Sequence, residues 1–312
     1  MKKKDSRWEV LEAEIRKTTF IESRRLDGAL GCRIILASEA FQHTGSFKFR
    51  AAYNVVMSAE ADLFLTASSG NFGQALAYAC QLQKKSCIVV MPSTSAQVKV
   101  DAVRGYGGIV ELIDVTVKSR WDRVWELARQ HPEAYVASPY DDPFVIEGNS
   151  SLGRELAELE YDLDCVVVPV GGGGLASGIV VGLQEAKKTV PVIGAEPLMA
   201  NDAARSLREG RIVSNESEPQ TIADGARTLC IGDRNWEVLK TGLNKIVEVP
   251  ETRIIEGLRT LFSLANLKVE PTGALAIGAL LTNPEEFAGK TVCCVVSGGN
   301  VDPQVYARLL LG

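Results

Sequence analysis

The chain has 312 residues, 46% of them hydrophobic and 23% charged, the balance of a folded globular protein long enough for two lobes. A formal net charge of −5 argues against nucleic acid as a partner, because phosphate binding needs a basic surface. The basic opening Met1-Lys2-Lys3-Lys4 runs into Asp5-Ser6-Arg7-Trp8-Glu9 with no apolar stretch behind it, so it does not read as a secretory signal and a cytoplasmic protein is expected.

In chain order, residues 8–18 carry an amphipathic helical pattern through Trp8, Val10, Leu11 and Ile15, and residues 32–36 read as a strand. The segment His43-Thr44-Gly45-Ser46-Phe47-Lys48-Phe49-Arg50 comes next, just ahead of a helical pattern over residues 51–57. A lysine desolvated against Phe47 and Phe49 loses its preference for the charged form, so its amine becomes available as a nucleophile or base, which is what a Schiff-base lysine needs. The ordinary alternative is a helix-start lysine in solvent.

Strands and helices then alternate: strand 62–67, a helix to about residue 84, strand 86–91, helix 96–106, strand 108–113, helix 118–130 and strand 134–138. A second series has helix 151–159, strand 164–170, helix 175–187, strand 191–195, strand 245–249, helix 251–266, helix 272–281 and strand 291–296, with a polar loop at 209–218. The expectation is an α/β fold of two open, mostly parallel twisted sheets flanked by helices. Residues 1–58 and 141–312 would form a large domain and 59–140 a small one, with ligands at the carboxyl ends of the strands. The uncharged run 165–184 approaches the length of a membrane span, but Pro169 and four glycines break it, so no membrane partner is expected. Seven cysteines without a CxxC spacing read as reduced core thiols, and two histidines leave little for a His-based triad or metal centre.

Three segments sit where strands end and helices begin. Gly171, Gly172, Gly173 and Gly174 form a loop whose backbone N–H groups and helix dipole suit a phosphate. The same stretch fits a dinucleotide fingerprint, Gly171-x-Gly173-x-x-Ala176, with Glu196 placed as a ribose-binding acid, so a nicotinamide oxidoreductase is the competing reading. Ser68-Ser69-Gly70-Asn71 offers hydroxyls, an amide and free N–H groups to a carboxylate, or simply a helix cap. Ser297, in Val295-Val296-Ser297-Gly298-Gly299-Asn300, puts a hydroxyl at another strand end.

Together and in order, Gly45-Ser46-Phe47-Lys48, Ser68-Ser69-Gly70-Asn71-Phe72-Gly73-Gln74, Gly171 to Gly174, Ala223-Asp224-Gly225, Glu270-Pro271-Thr272 and Ser297-Gly298-Gly299-Asn300-Val301-Asp302 resemble the pyridoxal-phosphate enzymes of fold type II, in the branch of serine racemase and the serine/threonine dehydratases. The resemblance implies that Lys48 holds pyridoxal 5'-phosphate as an internal aldimine, that the glycine loop binds its phosphate, that Asn71 hydrogen-bonds the ring hydroxyl, that Phe47 packs on a ring face and that Ser297 faces the pyridine nitrogen. A hydroxyl there does not hold the nitrogen protonated, which weakens the electron sink and favours prompt loss of a β-hydroxyl. Ser68, Ser69, Asn71, Phe72 and the backbone of Gly225 would bind substrate, and Ser69 would protonate the face opposite Lys48.

Glu196, Ala200 and Asp202 offer two carboxylates and a carbonyl for a hard cation, and the racemase branch implies Mg²⁺ or Mn²⁺ there. Phe72 stands where the family often has histidine. The activity implied is deamination of a β-hydroxy amino acid such as serine, threonine or 3-hydroxyaspartate, with racemisation as a side reaction or as the main activity. The protein would be a homodimer with a small-molecule amino-acid substrate.

Overall fold

The structure, a computed structural model, describes residues 2–68, 70–95 and 97–312, with side chains from Trp8 onward. Ser69 therefore lies outside the described residues. Among the described residues there are ten strands: β1 Thr19–Glu22, β2 Arg33–Ser38, β3 Leu63–Ala67, β4 Ser86–Pro92, β5 Ile109–Ile113, β6 Tyr135–Val136, β7 Cys165–Pro169, β8 Val192–Pro197, β9 Lys245–Val249 and β10 Thr291–Val296. They form a six-stranded sheet in the order β1-β2-β10-β7-β8-β9 and a four-stranded sheet in the order β5-β4-β3-β6. Among the described residues every strand pairing is parallel except β1 with β2.

Helices on both faces explain the near-continuous apolar runs of the inner strands. Val166, Val167, Val168 and the whole stretch from Val292 to Val296 have no exposed surface. In register, β10 lies between its two partners, with Cys293 opposite both Ile35 and Val166. The segments leaving the carboxyl ends of β2, β10 and β7 therefore emerge side by side. Parallel pairing thus brings the approach to Lys48, the glycine loop and Ser297 to one end of one sheet.

The helix Lys48–Ser58 packs against both Asn71–Leu82, which leaves β3, and Pro143–Ala157. Pro143–Ala157 in turn lies backbone to backbone on Gly174–Glu185, where a Cβ on Gly153 would come 2.5 Å from the Ile179 carbonyl. The helix that begins at the glycine loop is fixed by that close approach.

The run 165–184 is strand, loop and helix, and among the described residues no helix is long and apolar enough to cross a membrane. All seven cysteines are unpaired and six are buried. Several boundaries differ from the sequence reading. The helix expected from residue 151 begins at Pro143, because Asp142 accepts from the Phe144 N–H at 2.8 Å and Pro143 suits the first turn. The first helix ends at Glu14, where the chain turns to tie the Arg16 N–H and carbonyl to the Gln42 side chain. The antiparallel edge strand β1 and the helices Arg24–Leu30, Asp202–Glu209, Asp233–Gly242 and Pro303–Leu311 are additions to the sequence reading.

Candidate active site

Lys48 is the first residue of its helix, and the chain ahead of it is zipped onto the end of β10. Ser46 bridges to Gly298, the Phe47 N–H donates to the Ser297 carbonyl at 3.0 Å and the Gly299 N–H to the Gly45 carbonyl at 2.9 Å. The amine donates to the Pro139 carbonyl at 2.5 Å and lies 5.0 Å from the Phe47 ring centroid and 5.8 Å from that of Phe72. It is partly accessible yet ringed by protein. Desolvation pushes its pKa from 10.5 down to about 8, against the opposing pull of Glu270.

The aromatic pair is not the expected one. Phe49, next along the helix, turns away into the core and packs on His43, Tyr53 and Tyr78, with centroids 4.9, 5.5 and 5.4 Å distant. Phe72, brought in by the helix Asn71–Leu82, takes its place at the amine. Adjacent helical residues point about 100° apart, so Phe47 and Phe49 could not both cover Lys48.

Glu270 is the site residue that sequence reasoning passes over, although its motif belongs to the resemblance. Its carboxylate is 3% exposed and accepts both bonds of the Asn71 amide, at 2.9 and 3.0 Å. The Asn71 oxygen accepts from Asn300 Nδ2 at 2.8 Å, and Asn300 also donates to the Thr44 carbonyl at 2.7 Å. Burial first, then the charge of Asp224, raises the Glu270 pKa from 4.5 to about 8, while Asn71, Lys99 and Lys48 pull it back. The signal in the sequence is an acid just ahead of an uncharged stretch, Pro271 to Leu281, in which Thr272 is the one polar side chain.

Around these groups lie hydroxyls without partners. Ser297 Oγ, Ser46 Oγ and Thr44 Oγ1 are buried and make no hydrogen bond. Ser68 is different, since its Oγ accepts at 3.1 Å from the N–H of Gly73, in the first turn of the helix that Asn71 begins. The glycine loop follows β7 with Gly173 at φ 95°, a conformation that favours glycine. Asn235 Nδ2 holds it by donating to the carbonyls of Gly172 at 2.8 Å and Tyr140 at 3.0 Å, and Asn149 Nδ2 donates to the Gly174 carbonyl at 3.1 Å. These clamps leave the first N–H groups of Gly174–Glu185 without helical acceptors, as a helix start must. The Gly225 N–H donates to Thr272 Oγ1 at 3.0 Å, and a Cβ on Gly171 would come 3.1 Å from the Gly225 carbonyl. Gly225 therefore borders the loop.

Glu196, Ala200 and Asp202 gather at the far end of β8. Glu196 is fully buried and accepts from the N–H groups of Ala203 at 2.9 Å and Ala204 at 2.8 Å. Fully buried against that helix start, the carboxylate is not exposed to a ribose, which removes the acid the dinucleotide reading required. Burial and neighbouring Asp202 raise the Glu196 pKa well above the usual range, and burial lifts Asp202 to about 7. Asp202 Oδ1 accepts from Asn215 at 2.8 Å, whereas Oδ2 has no partner. Among the described residues no group of three or more His, Cys, Asp or Glu is placed to hold a metal ion.

The site thus combines a desolvated amine, a glycine loop at a helix start and an unpaired buried hydroxyl at the carboxyl ends of adjacent strands. A family model described as pyridoxal-phosphate dependent enzyme matches residues 11–298. The chain belongs to that family, and its two sheets are those of fold type II. It is similar to the L-threo-3-hydroxyaspartate ammonia-lyase of Pseudomonas sp, 36% identical over 97% of this chain and 96% of the relative. It is 34% identical to the serine racemase of Arabidopsis thaliana, over 92% and 89% of the two chains. Among solved structures it resembles a threonine deaminase from T.th., with a TM-score of 0.88 and 37% identity over 94% and 95% of the chains. The residues fit the family's cofactor: the Ser297 hydroxyl is free to meet a ring nitrogen, the loop can receive a phosphate, and the Lys48 amine is held ready to add to an aldehyde.

Glu270 makes the cofactor-free protein sensitive to pH in a predictable direction. Its folded pKa lies above 4.5, so the stability it contributes when protonated is complete below about 4.5 and is lost as pH rises through about 8. Lys48 acts outside that window, losing its contribution as pH falls from 10.5 through about 8. Melting temperature measured from pH 4.5 to 8 in the cofactor-free protein should therefore decline less in Glu270→Gln than in the wild type. Parallel curves would show that Glu270 is ionised throughout.

Proposed function

We propose that the protein is a pyridoxal-phosphate ammonia-lyase that removes water and then ammonia from a β-hydroxy amino acid such as serine, threonine or 3-hydroxyaspartate. The observation that carries the reading is the Lys48 amine, desolvated at the strand ends beside the glycine loop and the unpaired Ser297 hydroxyl. The relatives named as hydroxyaspartate ammonia-lyase, serine racemase and threonine deaminase support the substrate class. Lys48 and Phe47 would hold the cofactor, with Gly171, Gly172, Gly173 and Gly174 at its phosphate and Ser297 toward its ring nitrogen, and Asn71 would meet the ring hydroxyl by giving up a bond to Glu270 or Asn300. Bound pyridoxal phosphate supplies the electron sink for breaking the bond to the α-proton.

The chain's own groups do the rest. The Lys48 amine, released when substrate binds, takes the α-proton from one face. Its low pKa suits that role, because a neutral amine is populated near neutral pH. Ser68, Ser69, Asn71, Phe72 and the Gly225 backbone are assigned to the substrate, and Phe72, whose ring centroid lies 5.8 Å from the amine, would keep water from it. The proton taken by Lys48 leaves with the β-hydroxyl as water, and the unsaturated amine that remains is hydrolysed by a second water to a keto acid and ammonia. Ser69 is assigned as proton donor on the opposite face, which makes racemisation a side reaction. Residues 59–140 form the small domain on this reading and 1–58 with 141–312 the large one. A cytoplasmic location is carried over from the sequence reading, and a homodimer from the resemblance.

A divalent cation, Mg²⁺ or Mn²⁺, is proposed at Glu196, the Ala200 carbonyl and Asp202. Two desolvated carboxylates within electrostatic reach of each other need protons or a cation between them, and the unpaired Asp202 Oδ2 supports the latter. The Ala204 N–H bonds to Glu196 and so is not engaged with the Ala200 carbonyl.

Purified holoenzyme incubated with L-serine, L-threonine and L-threo-3-hydroxyaspartate should release ammonia from at least one, and Ser69→Ala should lose serine racemisation far more than deamination. Absence of ammonia from all three substrates would refute the lyase, and equal loss of both activities would refute the role of Ser69. Chelation should lower the melting temperature of the wild type and leave Asp202→Asn unchanged. An unchanged wild type would remove the cation.

A further inference from the structure

Of the ion pairs among the described residues, one alone joins an element of the four-stranded sheet's side to the six-stranded side. It links Lys99, on the helix Gln97–Gly105 that follows β4, to Asp224, with Nζ and Oδ2 2.8 Å apart. The other pairs close within one side or the other. Asp224 directly precedes Gly225, whose carbonyl abuts Gly171 of the glycine loop and whose N–H is held by Thr272. The Lys99 ammonium is therefore held on the segment that borders the glycine loop. It is close enough that its charge, like that of Asp224, acts on buried Glu270.

An ion pair about two-fifths exposed on both sides contributes little to stability, typically ~1 kcal/mol or less, so it can be exchanged at small cost. Its partner carboxylate also shows what the ammonium recognises. A substrate bound with its amino group toward Lys48 would direct a carboxylate on its β-carbon outward, where it competes with Asp224 for the same cation. A methyl group or hydrogen at that position, as in threonine or serine, has nothing to offer Lys99. We propose that Lys99 is the specificity-determining residue for a second carboxylate, which makes a β-hydroxy dicarboxylic amino acid the preferred substrate class. Asp224 holds the ammonium in place until substrate arrives. This rests on the lyase reading for turnover, though not for binding.

The test compares wild type, Lys99→Gln, Lys99→Arg and Asp224→Asn holoenzymes in two assays. In turnover, Lys99→Gln should lower kcat/KM for L-threo-3-hydroxyaspartate by about tenfold to a hundredfold, the scale of a lost charge-assisted contact, and leave L-serine and L-threonine within about threefold. Lys99→Arg should restore most of the loss, and Asp224→Asn, which removes the competing carboxylate, should not reduce hydroxyaspartate turnover. In binding, succinate should raise the wild-type melting temperature more than butyrate does, and that difference should vanish in Lys99→Gln. Equal loss for all three substrates would make the pair a structural clasp and overturn the proposal. So would an unchanged succinate shift in Lys99→Gln. If the wild type releases no ammonia from any substrate, the lyase reading fails and the succinate comparison decides Lys99 by itself.

Discussion

Two cations sit on the first turn of one helix, and the fold treats them oppositely. Arg50 has no exposed surface and every side of its guanidinium is met: Glu39 by Nε and Nη2, Glu155 and Ser151 by Nη1, and Thr18 and the Arg16 carbonyl by Nη2. Those partners raise its pKa above an already high value, so it is charged at all working pH. Lys48, two residues earlier, has no such shell and donates to one carbonyl, so its charge is disfavoured. Removing one partner of a buried ion network costs roughly 3–5 kcal/mol, because the remaining charge is left buried and uncompensated. Arg50 anchors the helix to the end of β2 and to Pro143–Ala157, and the anchored helix can then hold a lysine in a place that lysine alone would leave.

The same contrast organises the cleft. Asn71 commits its amide to Glu270 and its oxygen to Asn300, tying the small sheet's first helix to segments that flank β10. These bonds reach between the two sheets at the level of Lys48, and Phe72, on the next residue, closes over the amine. A desolvated amine near neutral pKa and a desolvated acid near neutral pKa are each costly alone. Neighbouring opposite charge moderates both, which is why the Glu270 carboxyl and the Lys48 amine influence one another's titration.

Much of this is legible in the sequence, for reasons that can be named. Parallel strands are buried on both faces and end abruptly, so Cys165–Pro169 before four glycines and Thr291–Val296 before Ser297 stand out as strand ends carrying polar groups. Lateral information is what the sequence withholds. Strand order puts β10 between β2 and β7, and no pattern within β10 itself says so. Phe49 and Phe72 exchange roles because covering Lys48 depends on which helix arrives beside it. Glu196 stands at a ribose-binding distance from the glycine loop, but its carboxylate turns down to cap the helix Asp202–Glu209, a contact seven and eight residues along that spacing rules for dinucleotide sites ignore. Asn235 and Asn149, which clamp the glycine loop from helices far apart in sequence, carry no local signal at all.

The proposed chemistry depends on the amine of Lys48 being the one that binds the cofactor. Reconstituting the protein with pyridoxal 5'-phosphate, reducing it with borohydride and mapping the modified peptide by mass spectrometry reads that directly. A single phosphopyridoxyl group on Lys48, absent from Lys48→Ala, is the predicted result. Modification spread over surface lysines, or the same labelling in Lys48→Ala, would contradict it.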